Sequence, residues 1–161
     1  MNYKIPFGGH DMLLRLCLVL FLYGLSVAQA QETAGTIKTL QGEVSITRQG
    51  KKLPATVGMN VLPGDRIVAG ANSSAGVMLR DDTRFAVGPN SQLALTSYAF
   101  NPNTNEGSLI IDILKGTLGM ISGLIVKANP NAAVLKTPTS TIGIRGTEFV
   151  IEVPESAVNN E

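Results

Sequence analysis

The stretch Ala75–Leu95, AGVMLRDDTRFAVGPNSQLAL, changes from apolar to polar almost residue by residue. Val77 and Leu79 share one face of a first run, and Phe85 and Val87 share one face of a second. A period of two suits a strand, whose side chains alternate between faces, and does not suit a helix. Asp81 and Asp82 lie between the runs, and Asp tolerates the backbone conformations of a turn. The segment therefore reads as a β-hairpin. The same pattern recurs along the sequence. Val44 and Ile46 alternate with Ser45 and Thr47, and two short strands flank Gly42. Gln49–Lys52, QGKK, turns into a third strand, and Pro63-Gly64 introduces a strand carrying Ile67 and Val68. Pro89-Asn90-Ser91 interrupts the pattern before Leu93 and Leu95. Ser108–Ser122 reads as two strands joined at Lys115-Gly116, and Ala132–Val153 as two or three more. Gly123–Asn131 reads as an irregular loop or a single helical turn, and Asn101–Gly107 as an exposed polar loop. Turn signals recur about every 8–12 residues, the spacing of sandwiches, barrels and solenoids. The expected fold is all-β: a compact antiparallel sandwich or roll of about ten short strands, with a short β-solenoid-like stack as the alternative.

The first 30 residues read as an address. Lys4 and Arg15 precede the apolar run Leu16–Leu25, and small residues at Ala28 and Ala30 follow it. This is the layout of a secretory signal peptide cleaved after Ala30. The apolar run is shorter than the roughly 20 residues that cross a bilayer. Cys17 follows Leu14-Arg15-Leu16 and belongs to the leader, not to a lipid-attachment site. The expectation is a cleaved leader over 1–30, a domain over 31–153 and a flexible tail over 154–161. The product is expected in the periplasm or outside the cell, with no transmembrane helix after the leader.

Cleavage removes His10 and Cys17, the sole histidine and cysteine, and the sequence has no tryptophan. A Ser-His-Asp triad, a Cys-His pair, imidazole or thiolate metal sites and disulfides are then excluded from the mature protein. No metal, cofactor or catalytic group is expected, and the protein reads as a non-enzyme. Lys4, Arg15 and Asp11 leave with the leader, so the 13 basic and 12 acidic residues of the whole sequence become a balanced remainder. No basic stripe interleaved with aromatics is present, so no nucleic-acid partner is expected.

The ordered series GEVSI, VLPGDRIVAG, ILKGTLGMISG and LKTPTSTIGIRGTEFVIEV resembles the FecR domain family over residues 36–153. The most specific part is the terminal pattern of Thr137, Pro138, Gly143, Arg145, Gly146, Thr147 and Phe149, with Gly64 and Asp65 as the second marker. The family was first defined by the periplasmic part of iron-citrate signalling regulators. Those regulators add a cytoplasmic segment that holds a sigma factor, a transmembrane helix and a C-terminal portion that contacts a transporter. This sequence shows none of these. The resemblance thus implies the fold and a role in envelope sensing or signalling, without the sigma-factor role.

Arg145 stands between Gly143 and Gly146. One reading has it pin a turn through hydrogen bonds to carbonyls or to a carboxylate, with Asp65 and Glu148 as candidates. Another has it face a groove and bind an anion. Ile142 and Ile144 are expected on one face, and Phe149 and Ile151 on another. Asp81 and Asp82 read as a turn in preference to a calcium site, which needs six or more oxygens. Asp112 and Glu106 lack the aromatic platform expected of a glycosidase pair. Tyr98 and Phe100 read as the end of a core strand or as a small contact surface. Two function classes follow. One is a binding module for a protein or a cell-envelope or polysaccharide component, and the other is a structural or self-assembling envelope or extracellular-matrix component. Free sheet edges would serve either by strand addition.

Overall fold

A computed structural model describes residues 32–146 and 148–155. The expected leader, Gln31, Thr147 and residues 156–161 of the tail lie outside the described residues. Twelve strands follow in sequence order: β1 (Gly35–Gln41), β2 (Val44–Arg48), β3 (Lys51–Pro54), β4 (Asn60–Val61), β5 (Arg66–Ala69), β6 (Ser74–Leu79), β7 (Arg84–Val87), β8 (Gln92–Phe100), β9 (Gly107–Ile121), β10 (Ala133–Lys136), β11 (Thr141–Gly143) and β12 (Glu148–Val153). One short helix, α1 (Leu124–Ala128), and a 3-10 turn at Pro130–Ala132 stand between β9 and β10. The fold is all-β, as the alternation predicts.

Local chemistry places the turns. Arg48 pairs with Lys51 across Gln49-Gly50, and both turn residues have positive φ (49° and 78°). This is the two-residue hairpin loop whose twist matches that of the strands it joins. Leu62-Pro63-Gly64-Asp65 closes with Asp65 N–H donating to Leu62 C=O at 3.1 Å, and Gly64 at φ 90° takes the position that favours glycine.

The hydrogen-bonded order is β3-β2-β5-β8-β9-β7-β6-β1-β4, with β10 and β12 also pairing with β9 and β11 pairing with β10. β9 differs from expectation. Lys115-Gly116 does not reverse direction, so Ser108–Ser122 is not a pair of strands but one strand of 15 residues with its flanks. Gly116 has φ 88°, and its neighbours remain extended, so the strand bends without turning back. Before the bend β9 pairs with β8 and β10, and after it with β7 and β12. The bend rests on Ser91, whose Oγ accepts the Thr117 N–H at 2.8 Å. A Cβ on Gly116 would fall 2.5 Å from Ser91 Cα.

β9 thereby belongs to two half-sheets that close on one core. Ile37, Val77, Phe85, Leu118 and Met120 come from one half, and Ile46, Ile67, Leu93, Leu95, Ile111 and Leu135 from the other. Each of the named core residues is at most 2% exposed. Pairing is antiparallel except between β9 and β10, which run parallel because α1 and the 3-10 turn lead the backbone back to the start of β9. Ile142 and Ile144 do not share a face. β11 ends at Gly143, so the alternation stops there, leaving Ile142 37% exposed and Ile144 buried.

Candidate functional site

The markers singled out in the sequence fall into separate places. Asp65 is fully buried and accepts a bidentate pair of bonds from Arg48, Nε to Oδ1 at 2.8 Å and Nη2 to Oδ2 at 2.6 Å. Leu62 N–H donates to the same carboxylate at 2.8 Å, and Arg48 also donates to Asn60 C=O at 2.8 Å. The bond to Asp65 is the chief cause that raises the Arg48 pKa. Gly64 N–H donates to Leu95 C=O, and Leu95 N–H to Asp65 C=O, at 2.7 and 2.9 Å. The Gly64-Asp65 turn is thus a buckle that ties β2 and β8 together. The sequence offers Asp65 as a partner for Arg145, and Arg48 holds that place instead. β2 pairs with β5 in the register Thr47↔Arg66, which brings the end of β2 alongside Asp65. No local pattern announces that register.

Thr137 closes the β10–β11 turn. Its Oγ1 accepts the Ser140 N–H at 3.0 Å, and its N–H donates to Ser140 C=O at 2.8 Å, with Pro138 exposed between them. Gly143 and Arg145 are exposed, and Arg145 has no hydrogen bond or ion pair among the described residues. With Pro130, Asn131 and Ile144 they line a pocket of about 420 Å³. Gly146 C=O accepts the Ser122 hydroxyl at 2.7 Å. Phe149 sits half-buried on β12 against the core.

Asp81 and Asp82 both lie in the β6–β7 turn, as expected: Asp82 N–H donates to Leu79 C=O at 3.2 Å, and Asp82 has φ 64°. The Asp81 side chain points inward, is fully buried, and is held by Thr83 Oγ1 at 2.7 Å and the Tyr98 hydroxyl at 3.2 Å. Its backbone carbonyl accepts the Leu124 N–H at 2.7 Å, which clamps the start of α1 onto the β6–β7 turn. Burial, and then the Asp81 charge, push the Tyr98 phenol well above its ordinary pKa. Phe100 is buried at the end of β8.

A second concavity has no counterpart among the sequence expectations. It lies on the outer face of the half-sheet β1-β6-β7-β9-β12 and has a volume of about 640 Å³. Register builds it. Thr39, Gly76, Ala86, Gly119 and Val150 are directly paired in turn across five strands. At an interstrand spacing of about 4.8 Å this row spans roughly 20 Å. Its middle carries only a hydrogen, a methyl and a hydrogen, so the row is a trough. The next row, Met78, Arg84, Ile121 and Glu148, stands up as its wall. Lys38 on β1 places positive charge at one end, Glu148 on β12 places negative charge at the other, Arg84 stands on the middle strand β7, and none of the three is in an ion pair among the described residues.

The two glycines differ. A Cβ on Gly76 would fall 2.3 Å from Thr39 Oγ1, so a larger residue there would force that hydroxyl to move. A Cβ on Gly119 would meet only Val150 Cγ2, 3.8 Å away. Glycine in a strand interior costs about 0.5–1 kcal/mol relative to alanine. At Gly119 no contact requires that cost, and the result is an open trough floor. An isolated glycine inside a strand pattern is a sequence signal for close approach of another group. Gly119 bears that signal in the sequence itself.

A family model described as FecR protein matches residues 65–160, from the Asp65 buckle across the trough strands β6, β7, β9 and β12. No curated protein and no solved structure matches this sequence.

Proposed function

The chain belongs to the FecR family, and from that premise we propose that it is an exported, non-enzymatic binding module that takes part in envelope sensing or signalling by capturing a partner on its outer sheet face. The partner is a protein or another envelope component, met in the periplasm or outside the cell. The observation that carries this reading is the trough at Gly76, Ala86 and Gly119, kept open at Gly119 where packing does not call for glycine. The trough offers shape, apolar floor and opposed end charges, which serve recognition. The leader over 1–30 supports the compartment.

The test is Gly119→Val. Valine suits extended backbone and adds up to about 1 kcal/mol of strand preference, so the variant is expected to melt at or above the wild-type temperature. Its side chain fills the trough floor. The full-length protein, expressed with its own leader, is immobilised and exposed separately to envelope and cytosolic fractions. The expected result is a species taken from the envelope fraction by the wild type and lost by Gly119→Val. Equal capture by both, or capture from the cytosol alone, would reject the reading.

A further inference from the structure

The trough ends on a strand whose outer edge is open. β12 pairs with β9 on one side, and among the described residues no strand pairs with its other side. Its N–H and C=O groups along that edge form a template for one more strand. The side chains add a pattern. Glu148, Val150 and Glu152 alternate on the outer face, all exposed, with Val150 at 70%. Neither glutamate is in an ion pair among the described residues. Phe149 and Ile151 point to the other face, pack against the core, and remain half-buried where a further strand would cover them.

We propose that β12 accepts an extended segment of a partner protein with the pattern basic–apolar–apolar–apolar–basic. Residues directly opposite across a strand pair on one face interact most strongly. Opposite Glu148 and Glu152 the complement is Lys or Arg, and opposite Val150 it is apolar. The two intervening residues face the side of Phe149 and Ile151 and are apolar for that reason. A second copy of this protein fits badly. Antiparallel pairing of β12 with itself about Val150 places Glu148 against Glu152 at both ends, and like charges directly opposite are destabilising. The two glutamates, with Pro154 just beyond the strand, therefore guard the edge against indiscriminate pairing while leaving it open to one charge pattern. The strand-acceptor inference rests on the binding reading above and names the chemistry of its partner.

The test uses two labelled peptides, Thr-Lys-Val-Ile-Val-Lys-Thr and the same peptide with glutamate in place of both lysines, titrated onto the full-length protein expressed with its own leader. The basic peptide is expected to bind about tenfold tighter, to lose that advantage as salt is raised, and to slow amide exchange over residues 148–153. The double variant Glu148→Lys, Glu152→Lys is expected to reverse the preference. Equal binding of the two peptides, no binding, or β12 protection that grows with protein concentration in the absence of peptide would overturn the proposal, the last by making the occupant a second copy. Gly119→Val separates this result from the earlier one. Peptide discrimination that persists while envelope capture is the same for wild type and Gly119→Val sinks the trough alone. Capture that depends on Gly119 while the peptides fail to discriminate sinks the strand acceptor alone.

Discussion

Arg48→Ala and Arg145→Ala remove the same charge from two sites, and the structure predicts opposite outcomes. Arg48→Ala deletes two charge-assisted hydrogen bonds to Asp65 and one to Asn60 C=O, leaving a fully buried carboxylate with the Leu62 N–H. Breaking a buried ion pair costs about 3–5 kcal/mol. The Arg48 side chain is 26% exposed, so solvent already weakens the pair, and the expected cost is about 2–4 kcal/mol. A domain holds about 5–15 kcal/mol in all. For one of this size roughly 3 kcal/mol lowers the melting temperature by about 10 °C. Arg145→Ala removes an exposed side chain with no partner among the described residues, and its cost is expected within about 0.5 kcal/mol. Denaturant melts of the wild type, Arg48→Ala, Asp65→Ala and the double variant give the coupling energy directly. A favourable coupling of about 2 kcal/mol or more is expected. Coupling near zero, or an Arg145→Ala variant as unstable as Arg48→Ala, would refute the assignment of the buckle to Arg48 and Asp65.

Two further outcomes follow from local geometry. Gly116→Ala is expected to cost well over 2 kcal/mol, because positive φ and a 2.5 Å approach to Ser91 Cα act together, whereas Gly64→Ala, with φ 90° and no atom within 4 Å, is expected to lose only about 1 kcal/mol from backbone strain; chemical denaturation of both ranks them, and equal losses would count against the bend. The raised Tyr98 pKa means that the folded state favours the neutral phenol, so its contribution to stability is complete below about pH 10 and is lost as the pH climbs from there toward the folded value. Tyr98→Phe is expected to flatten that alkaline loss, which melts across about pH 9–12 would measure.

Much of the fold is legible because alternation is a local signal. Val77, Leu79, Phe85 and Val87 each declare a face through their neighbours, and all four are buried. β9 misleads because glycine after lysine looks the same whether a strand reverses or bends, and the outcome depends on Ser91, far away in sequence. The trough is illegible for a related reason. Gly76, Ala86 and Gly119 become a row only when the registers of three strands are known. Arg145 stands out for its glycine neighbours, while Arg48, at the end of an ordinary strand, gives no signal because its partner is set by the β2–β5 pairing. The markers named in the sequence thus fall into a buckle, a turn, an exposed pocket and a strand edge.

The sharing of β9 between both half-sheets bears on how the molecule comes apart. β7 and β8 are linked by the short Gly88–Ser91 segment, yet they enter different halves and find their common neighbour in β9. Until residues 107–121 are in place, each half lacks a strand at the same seam. Residues 107–115 serve one half and 116–121 the other, so loosening β9 in one half frays the end of the same strand in the other. Amide exchange in the two halves is expected to be coupled through that shared strand, and damage at the Gly116 bend is expected to reach both the buckle side and the trough side.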